Sequence, residues 1–274
     1  MNDLGIDIEA ALGWFLHAQD APYVLVRVDA EHASAWSEVL GVAVRRCYVS
    51  DDLVQARAAA HGVSEAEVIG AALPDRGSTM SGDFGEILVY FYQAAQELPQ
   101  QAFGPRKWRL KQDRTKPAPH SDVVHFVLPH WPIPSADDRL LCSEVKTKAT
   151  NGASAPISEA ITDCIKDRTS RLSKTLAWLR ERALLQDIQD VDLAKLNRFI
   201  DATDPPPATR HFRAVAVVCA DLVNGQLDDA PEETPKDYTV VVISVPKLKS
   251  TYEAVYDAAR QAVPTASDDS GGVA

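Results

Sequence analysis

The sequence has little that would place the protein in a membrane, in an oxidising compartment or among zinc proteins. It contains no run of about 18 apolar residues, so we predict no transmembrane helix. Its first residues, MNDLGIDIEA, are acidic and lack the basic and apolar parts of a signal peptide. Its 4 cysteines include no CxxC pair, so neither a disulfide framework nor a zinc site is expected. We therefore expect a cytoplasmic protein without membrane contact.

The chain also lacks an excess of positive charge and a phosphate-binding glycine loop. Its formal net charge is -11, whereas a protein that binds nucleic acid through bulk electrostatics is usually basic. The absence of a GxxxxGK[ST] motif argues against ATP hydrolysis by this chain. A local basic groove, or a partner that delivers nucleic acid, remains compatible with this charge.

What is present suffices for a large α/β protein. Hydrophobic residues make up 46% of the chain, enough for one large domain or a core domain with a smaller one. The first part mixes helical and strand patterns, including predicted strands at 23–28 and 42–49, and carries no chemical motif. The predicted organisation is a small α/β domain for partner docking at 1–78, a larger α/β domain at 79–262 and a disordered tail at 263–274.

The larger domain is predicted to be a mixed central sheet flanked by helices. Apolar residues at helical spacing alternate along the chain with short apolar runs that are typical of strands. The predicted helices are 81–98, 156–186, 191–201 and 248–262, and the predicted strands are 107–111, the runs that carry Asp122 and Glu144, 211–219 and 238–245.

The candidate chemistry lies in residues 121–148. Asp122 opens the apolar run SDVVHFVL, and Glu144 and Lys146 lie in the run LLCSEVKTK. Strand side chains alternate between faces, so Glu144 and Lys146 share one face with Val145 between them. The two carboxylates and the Val145 carbonyl suit Mg²⁺, or Mn²⁺, as ligands for the hydrolysis of a phosphodiester. Lys146 is expected to position or deprotonate the attacking water, or to stabilise the transition state, and a lysine beside a metal can have a lowered pKa.

A buried glutamate precedes this stretch. Glu86 lies in SGDFGEILVYFYQAAQEL, a helical run that is apolar almost all round and is therefore expected to be buried. An unpaired buried carboxylate is costly, so Glu86 should face a cation, an arginine or lysine, or a wet cleft. Two interpretations stay open: a structural ion pair, or a role in the metal site as ligand of a second metal or of a bound water.

Residues 105–120, PRKWRLKQDRTKPAPH, concentrate positive charge in an acidic chain. We interpret them either as a solvated basic edge strand or as a patch that tracks phosphates. On the second interpretation, the candidate substrate-binding residues are Lys111, Lys116 and His120, together with Lys148 and, from the helix 156–186, Arg168.

The order of Asp122 and E-V-K at 144–146, with Glu86 upstream on a helix, resembles the PD-(D/E)xK nuclease superfamily, with Ser121 in place of the proline before the aspartate. The segments GDFGEILVYF, KQDRTKPAPHSDVVHF, LLCSEVKTKAT and ISEAITDCIKDRTSRLSKTL more closely resemble the nuclease-subunit family of the Hachiman anti-phage defence system, HamA, over about 80–250. The resemblance implies a restriction-endonuclease-like core and a DNA-degrading immune effector. It also implies a partner, the superfamily 2 helicase HamB.

Two other interpretations remain open. A catalytically silent protein of the same fold would dock a partner or hold DNA, and such a protein could lose the acids that this sequence keeps. An RNA-directed nuclease would use the same residues, and nothing in the sequence discriminates a 2′-hydroxyl.

Overall fold

The computed structural model describes residues 2–185, 192–201 and 205–264. The helices are α1 (Ile8–Leu12), α2 (Ala30–Tyr48), α3 (Asp51–His61), α4 (Glu65–Ala72), α5 (Ser78–Gln96), α6 (Pro156–Lys166), α7 (Leu172–Leu184), α8 (Leu193–Ile200) and α9 (Leu248–Gln261). The strands are β1 (Leu16–Gln19), β2 (Val24–Arg27), β3 (Ala102–Phe103), β4 (Val123–Val127), β5 (Arg139–Lys148), β6 (Thr209–Cys219) and β7 (Thr239–Val245). No helix in these ranges is long and apolar enough to cross a membrane.

Within the described ranges the strands form one mixed sheet in the order β1-β2-β7-β6-β5-β4-β3. The strands β2, β7, β6 and β5 run parallel, whereas β1, β4 and β3 pair antiparallel with their neighbours. Strand β7 and the second half of β6 are nearly continuous apolar runs, as expected for strands that are covered on both faces. The prediction of an α/β fold with a mixed central sheet flanked by helices is confirmed.

Helices cover both faces of the sheet. Along β6, Val215 and Val217 join the core formed with α2, α5 and α9, while Ala214 and Ala216 join the core formed with α6. The outer part of the second face, on β4 and β5, packs against α7 and α8. This alternation gives three layers, α/β/α, and assigns each residue of β5 to one face.

A glycine sets the distance between α5 and the sheet. A Cβ built on Gly85 would lie 2.0 Å from Thr147 Oγ1, whereas a Cβ on Gly82, on the same helix, would have no neighbour within 4 Å. Only a residue without a side chain fits at position 85, and the next residue, Glu86, is thereby held close to the sheet.

The N-terminal strands belong to the same sheet as the C-terminal ones. β2 pairs in parallel with β7, with Val24 opposite Val241. Helix α2 packs on α9, where a Cβ on Gly41 would lie 3.0 Å from that of Ala258. The division at residue 78 stays a prediction, and a truncation there would expose β7 and α9. Residues 265–274 of the predicted tail lie outside the described ranges.

The predicted strand at 42–49 is wrong, because α2 continues through this segment to Tyr48. Buried residues recur at helical spacing from Trp36 through Leu40 and Val44 to Tyr48. This spacing places them on one helical face towards the core, and that tertiary contact overrides the strand preference of the β-branched residues.

The predicted edge strand at 107–111 is also wrong. Lys107–Leu110 form a 3₁₀ turn, and both Lys107 and Trp108 are buried. The alternation of polar and apolar residues therefore does not reflect two faces of an exposed strand. It reflects a turn that directs a lysine and a tryptophan into the protein.

The predicted helix 156–186 is confirmed as far as Leu184, with one interruption. Pro156 lies in its first turn, as expected. A π-helical turn, Asp167–Arg171, joins α6 to α7. Such turns often occur at functional sites, and this one lies beside the residues described next.

Candidate active site

The candidate site lies where β4 begins beside β5. Asp122 directly precedes β4, and its Oδ2 accepts a hydrogen bond from the Val145 N–H at 2.8 Å. The N–H and C=O of one strand residue point to the same side, so the Val145 carbonyl is also directed towards this edge. The structure thus brings Asp122 to the middle of the E-V-K segment, as the sequence predicts.

Glu144 and Lys146 project from the same face of β5, as predicted. Lys146 Nζ lies 2.8 Å from Glu144 Oε1. Arg171 Nη1 donates to the other oxygen, Oε2, at 2.8 Å. Both oxygens of this buried carboxylate therefore contact cations of the chain itself.

Burial and ion pairing act in opposite directions on the pKa of Glu144 and on that of Lys146. It raises the pKa of Glu144 to about 9, and the charge of Asp122 adds to the effect while Lys146 opposes it. Burial lowers the pKa of Lys146, but its hydrogen bonds to Asp163 and Glu144 outweigh burial, so the pKa is raised. With this raised pKa the lysine keeps its proton at neutral pH, and a lowered pKa beside a bound metal stays a prediction.

Two carboxylates that the sequence analysis did not single out complete this face. Asp163, on α6, lies with Oδ2 2.7 Å from Lys146 Nζ. Asp167, in the π-helical turn, accepts a hydrogen bond from Ser121 Oγ at 2.9 Å, and burial raises its pKa. With Arg171, these residues are spaced four apart on one helical segment. That spacing is the signal that could have found them.

Glu86 reaches the site from α5, on the opposite side of the sheet, through a lysine. Lys107 Nζ lies 3.3 Å from Glu86 Oε2 and 3.5 Å from Asp122 Oδ1. Trp108 Nε1 also donates to Glu86 Oε2, at 3.0 Å. The expectation that Glu86 faces a cation is confirmed. Burial raises its pKa to about 8, against the opposing charge of Lys107.

Two of the predicted substrate-binding lysines form contacts within the chain. Lys111 Nζ pairs with the buried Asp83 at 2.7 Å. Lys148 Nζ donates to the carbonyl oxygens of Gly152 and Ser154 at 2.9 and 2.5 Å. Since these contacts occupy the ammonium groups, they argue against direct contact of either lysine with phosphate.

The other three predicted substrate-binding residues are accessible. The side chain of Lys116 is 75% exposed, and Arg168 Nη2 lies 3.0 Å from the exposed Asp237. The ring of His120 packs on Trp178, with centroids 4.8 Å apart. Contact of these three residues with substrate stays a prediction.

Several cations of the basic segment 105–120 have partners within the chain. Arg109 Nη2 donates to the Arg46 carbonyl at 2.7 Å, and Arg114 Nη1 lies 3.0 Å from Asp75 Oδ1. Most of the cationic side chains of this segment thus form ion pairs or hydrogen bonds within the chain, because an acidic protein offers many carboxylates and carbonyls to them.

The oxygen ligands suit Mg²⁺ in kind. Hard divalent cations prefer carboxylate and carbonyl oxygens, and Asp122, Glu144 and Val145 supply them at one edge of the sheet. Burial raises the pKa of Glu144 and the charge of Asp122 adds to the effect, and a divalent cation would oppose both. In the part of the chain that the structure describes, however, no group of three or more His, Cys, Asp or Glu side chains is arranged to hold a metal ion. Lys146 and Arg171 instead contact the oxygens of Glu144, so a cation has to displace one of them.

Comparison with protein families gives one match. The family model described as HamA matches residues 18–259 of the 274-residue chain. This range includes Glu86, Asp122 and residues 144–146. No curated protein matches the chain.

Proposed function

Since the chain belongs to the HamA family, a family of Hachiman anti-phage defence subunits, we propose that it is the DNA nuclease of that system and works with a partner helicase. The observation that carries the proposal is the hydrogen bond from the Val145 N–H to Asp122 at 2.8 Å, beside Glu144 and Lys146 on the neighbouring strand. An acid at the start of one strand and E-x-K on the next support a PD-(D/E)xK core.

The proposed reaction is hydrolysis of a phosphodiester with Mg²⁺, or Mn²⁺ in its place. Asp122, Glu144 and the carbonyl of Val145 would hold the cation. When bound, the cation would polarise the phosphoryl group and offset the charge that develops on it. The Val145 N–H fixes the orientation of the Asp122 carboxylate, so this ligand needs little rearrangement.

Lys146 acts in this proposal as a fixed positive charge, not as a general base. Its contacts with Glu144 and Asp163 raise its pKa, so the ammonium stays protonated at neutral pH. Its side chain is 27% exposed and can donate to a phosphate oxygen or orient the attacking water. Arg171 lies on the same face and can do the same once it leaves Glu144.

The acidic character of the chain supports delivery of the substrate by a partner. The chain has a net charge of -11, and most cations of the segment 105–120 have partners within the chain. The isolated chain should therefore bind duplex DNA weakly at physiological salt. A helicase that presents an opened strand would remove this barrier.

The test follows plasmid degradation with and without helicase, Mg²⁺ and ATP. We expect degradation in the complete mixture and its loss in Glu144→Ala, with the circular dichroism spectrum and helicase binding unchanged. Lys166→Ala is the control for a substitution beside the site. Like Lys146, Lys166 contacts Asp163, at 2.6 Å, but its side chain is exposed, so degradation should be unchanged. Degradation by Glu144→Ala at the wild-type rate would refute the catalytic assignment. Efficient duplex cutting by the isolated chain would contradict delivery by a partner.

One observation favours a second candidate, a catalytically silent module that docks the helicase or holds DNA. Both oxygens of Glu144 already have cationic partners in Lys146 and Arg171, and a purely structural cluster would look the same. On this alternative the complete mixture shows no Mg²⁺-dependent degradation, and Glu144→Ala leaves defence against phage intact.

A further inference from the structure

The 3₁₀ turn carries a buried lysine with no part in the proposed reaction so far. The side chain of Lys107 is 4% exposed. Its Nζ lies 3.0 Å from the Ser121 carbonyl oxygen, 3.3 Å from Glu86 Oε2 and 3.5 Å from Asp122 Oδ1. Two carboxylates and a carbonyl are the ligands that a hard divalent cation takes. The ammonium therefore occupies a place where such ligands converge from α5 and from the residues that precede β4.

The carboxylate of Asp122 borders two sites, the one that the Lys107 ammonium occupies and the proposed metal site. Its Oδ1 faces Lys107, while its Oδ2 accepts the hydrogen bond from Val145 at 2.8 Å. In phosphodiesterases with two metals, the ions lie about 3.5–4 Å apart and act on opposite sides of the reacting phosphate. A second ion beside Asp122 and Glu86 would have to share its position with the ammonium, and two positive charges cannot do so.

We propose that Lys107 is a built-in cation that takes the place of a second divalent cation, so that each chain binds one such ion, at Asp122 and Glu144. Lys107 is thus a positioning residue: it orients the Asp122 carboxylate from one side while Val145 orients it from the other. Glu86 is the partner that holds the ammonium and is not a metal ligand. The inference rests on the proposed function, since it concerns the metal content of the same site.

The surroundings of Lys107 keep the ammonium in place. Trp108, the next residue, donates to Glu86 Oε2 at 3.0 Å and packs on Tyr90 with ring centroids 5.8 Å apart. Arg109 fixes the same turn to α2 through the Arg46 carbonyl. A turn held at successive residues leaves the lysine little freedom to withdraw when a divalent cation is offered.

A purely structural ion pair between Lys107 and Glu86 would make a different prediction. It would stabilise the fold, but its removal would not change the number of metal ions that the chain binds. The number of bound ions therefore separates the two roles, and a loss of stability alone does not.

The experiment counts Mn²⁺ bound per full-length chain by electron paramagnetic resonance and calorimetry. We expect about one ion in the wild type and about two in Lys107→Ala, because Asp122 Oδ1 and Glu86 become free to bind the second. Adding Glu86→Gln to Lys107→Ala should return the number to about one. Lys111→Ala is the matched control: Lys111 is another buried lysine near this turn, but it pairs with Asp83, so the number should stay at about one.

Each outcome decides between the inference and the function on which it rests. Two ions in the wild type, or one in a folded Lys107→Ala, would overturn the role of Lys107 and leave the proposed nuclease function standing. No bound Mn²⁺ in the wild type would overturn both. Should Lys107→Ala not fold, the near-isosteric Glu86→Gln decides: it keeps one ion if Glu86 only holds Lys107, and a fall to none would make Glu86 a metal ligand.

Discussion

Affinity of the site for Mg²⁺ should rise steeply between pH 7 and pH 9. Burial raises the pKa of Glu144 to about 9, so at pH 7 this carboxyl carries a proton that the cation has to displace. Below the pKa, release of one proton on binding makes the affinity about tenfold higher, or about 1.4 kcal/mol more favourable, for each pH unit. Because the slope flattens as the pKa is reached, the two units from pH 7 to pH 9 correspond to about a fiftyfold increase.

The assay is calorimetric titration with Mg²⁺ at several pH values, each in two buffers of different ionisation enthalpy. The difference between buffers counts the protons released, and we expect about one per cation at pH 7. The side chain at position 144 cannot ionise in Glu144→Gln, so this variant should bind Mg²⁺ weakly and with an affinity that does not depend on pH. Asp163→Asn is the matched control, because the pKa of Asp163 is lowered to about 2: although burial raises it, the hydrogen bonds to Lys146 and Lys166 dominate. That group has no proton to release, so its replacement should leave the slope unchanged.

An affinity that does not change with pH would refute this reasoning. It would mean that Lys146 and Arg171 already keep Glu144 ionised in the free protein, or that Glu144 is not a ligand. The Mg²⁺ affinity of Glu144→Gln separates these two explanations, because it falls if Glu144 is a ligand and stays at the wild-type value if it is not.

Two further predictions concern stability and are measured by urea denaturation. Gly85→Ala should lower the free energy of unfolding by about 1–3 kcal/mol, because its Cβ would lie 2.0 Å from Thr147 Oγ1. Gly82→Ala, which has open space on the same helix, should raise the free energy of unfolding by about 0.5–1 kcal/mol. Equal effects of the two substitutions would contradict the close packing of Gly85 on Thr147. Arg198→Ala should lower the free energy of unfolding by about 3–5 kcal/mol, because it leaves the buried carboxylate of Asp138 without the guanidinium that contacts it at 2.8 Å. Arg76→Ala, at an exposed ion pair, should lower the free energy of unfolding by less than about 1 kcal/mol. A loss as large as that of Arg198→Ala would contradict the role of burial.

Periodicity alone predicted much of what positions the site. The apolar runs that carry Asp122 and Glu144 become the adjacent strands β4 and β5, and the alternation along β5 places Lys146 beside Glu144. Such local patterns are reliable because one face of each strand must be buried, which fixes the direction of every side chain on it. The helix of Glu86 was predicted for the same reason, since its apolar surface had to be covered.

The identity of the cation beside Glu86 could not be predicted. The cost of burying a carboxylate required some positive charge there, but the segment 105–120 offers several candidates at similar distance along the chain. The choice of Lys107 depends on a 3₁₀ turn that a strand-like alternation concealed. The π-helical turn that places Arg171 on Glu144 was equally hidden, because the polar residues of Asp167–Arg171 fit an ordinary exposed helical face.

The cations inside the site and the acidity of the whole chain lead to a common conclusion. Lys107, Lys146 and Arg171 each contact a carboxyl group of the site, so side chains of the chain itself already occupy the oxygens that a metal ion would take. A phosphodiester delivered by the partner would attract Lys146 and Arg171 through its own negative charge and release the oxygens of Glu144. A metal ion would then bind more tightly than it does to the chain without substrate, because the two cations no longer compete for these oxygens. Substrate and metal would therefore strengthen the binding of each other, since coupling between two ligands is reciprocal. The chain would stay inactive until both arrive, and at a net charge of -11 it would rarely recruit DNA unaided.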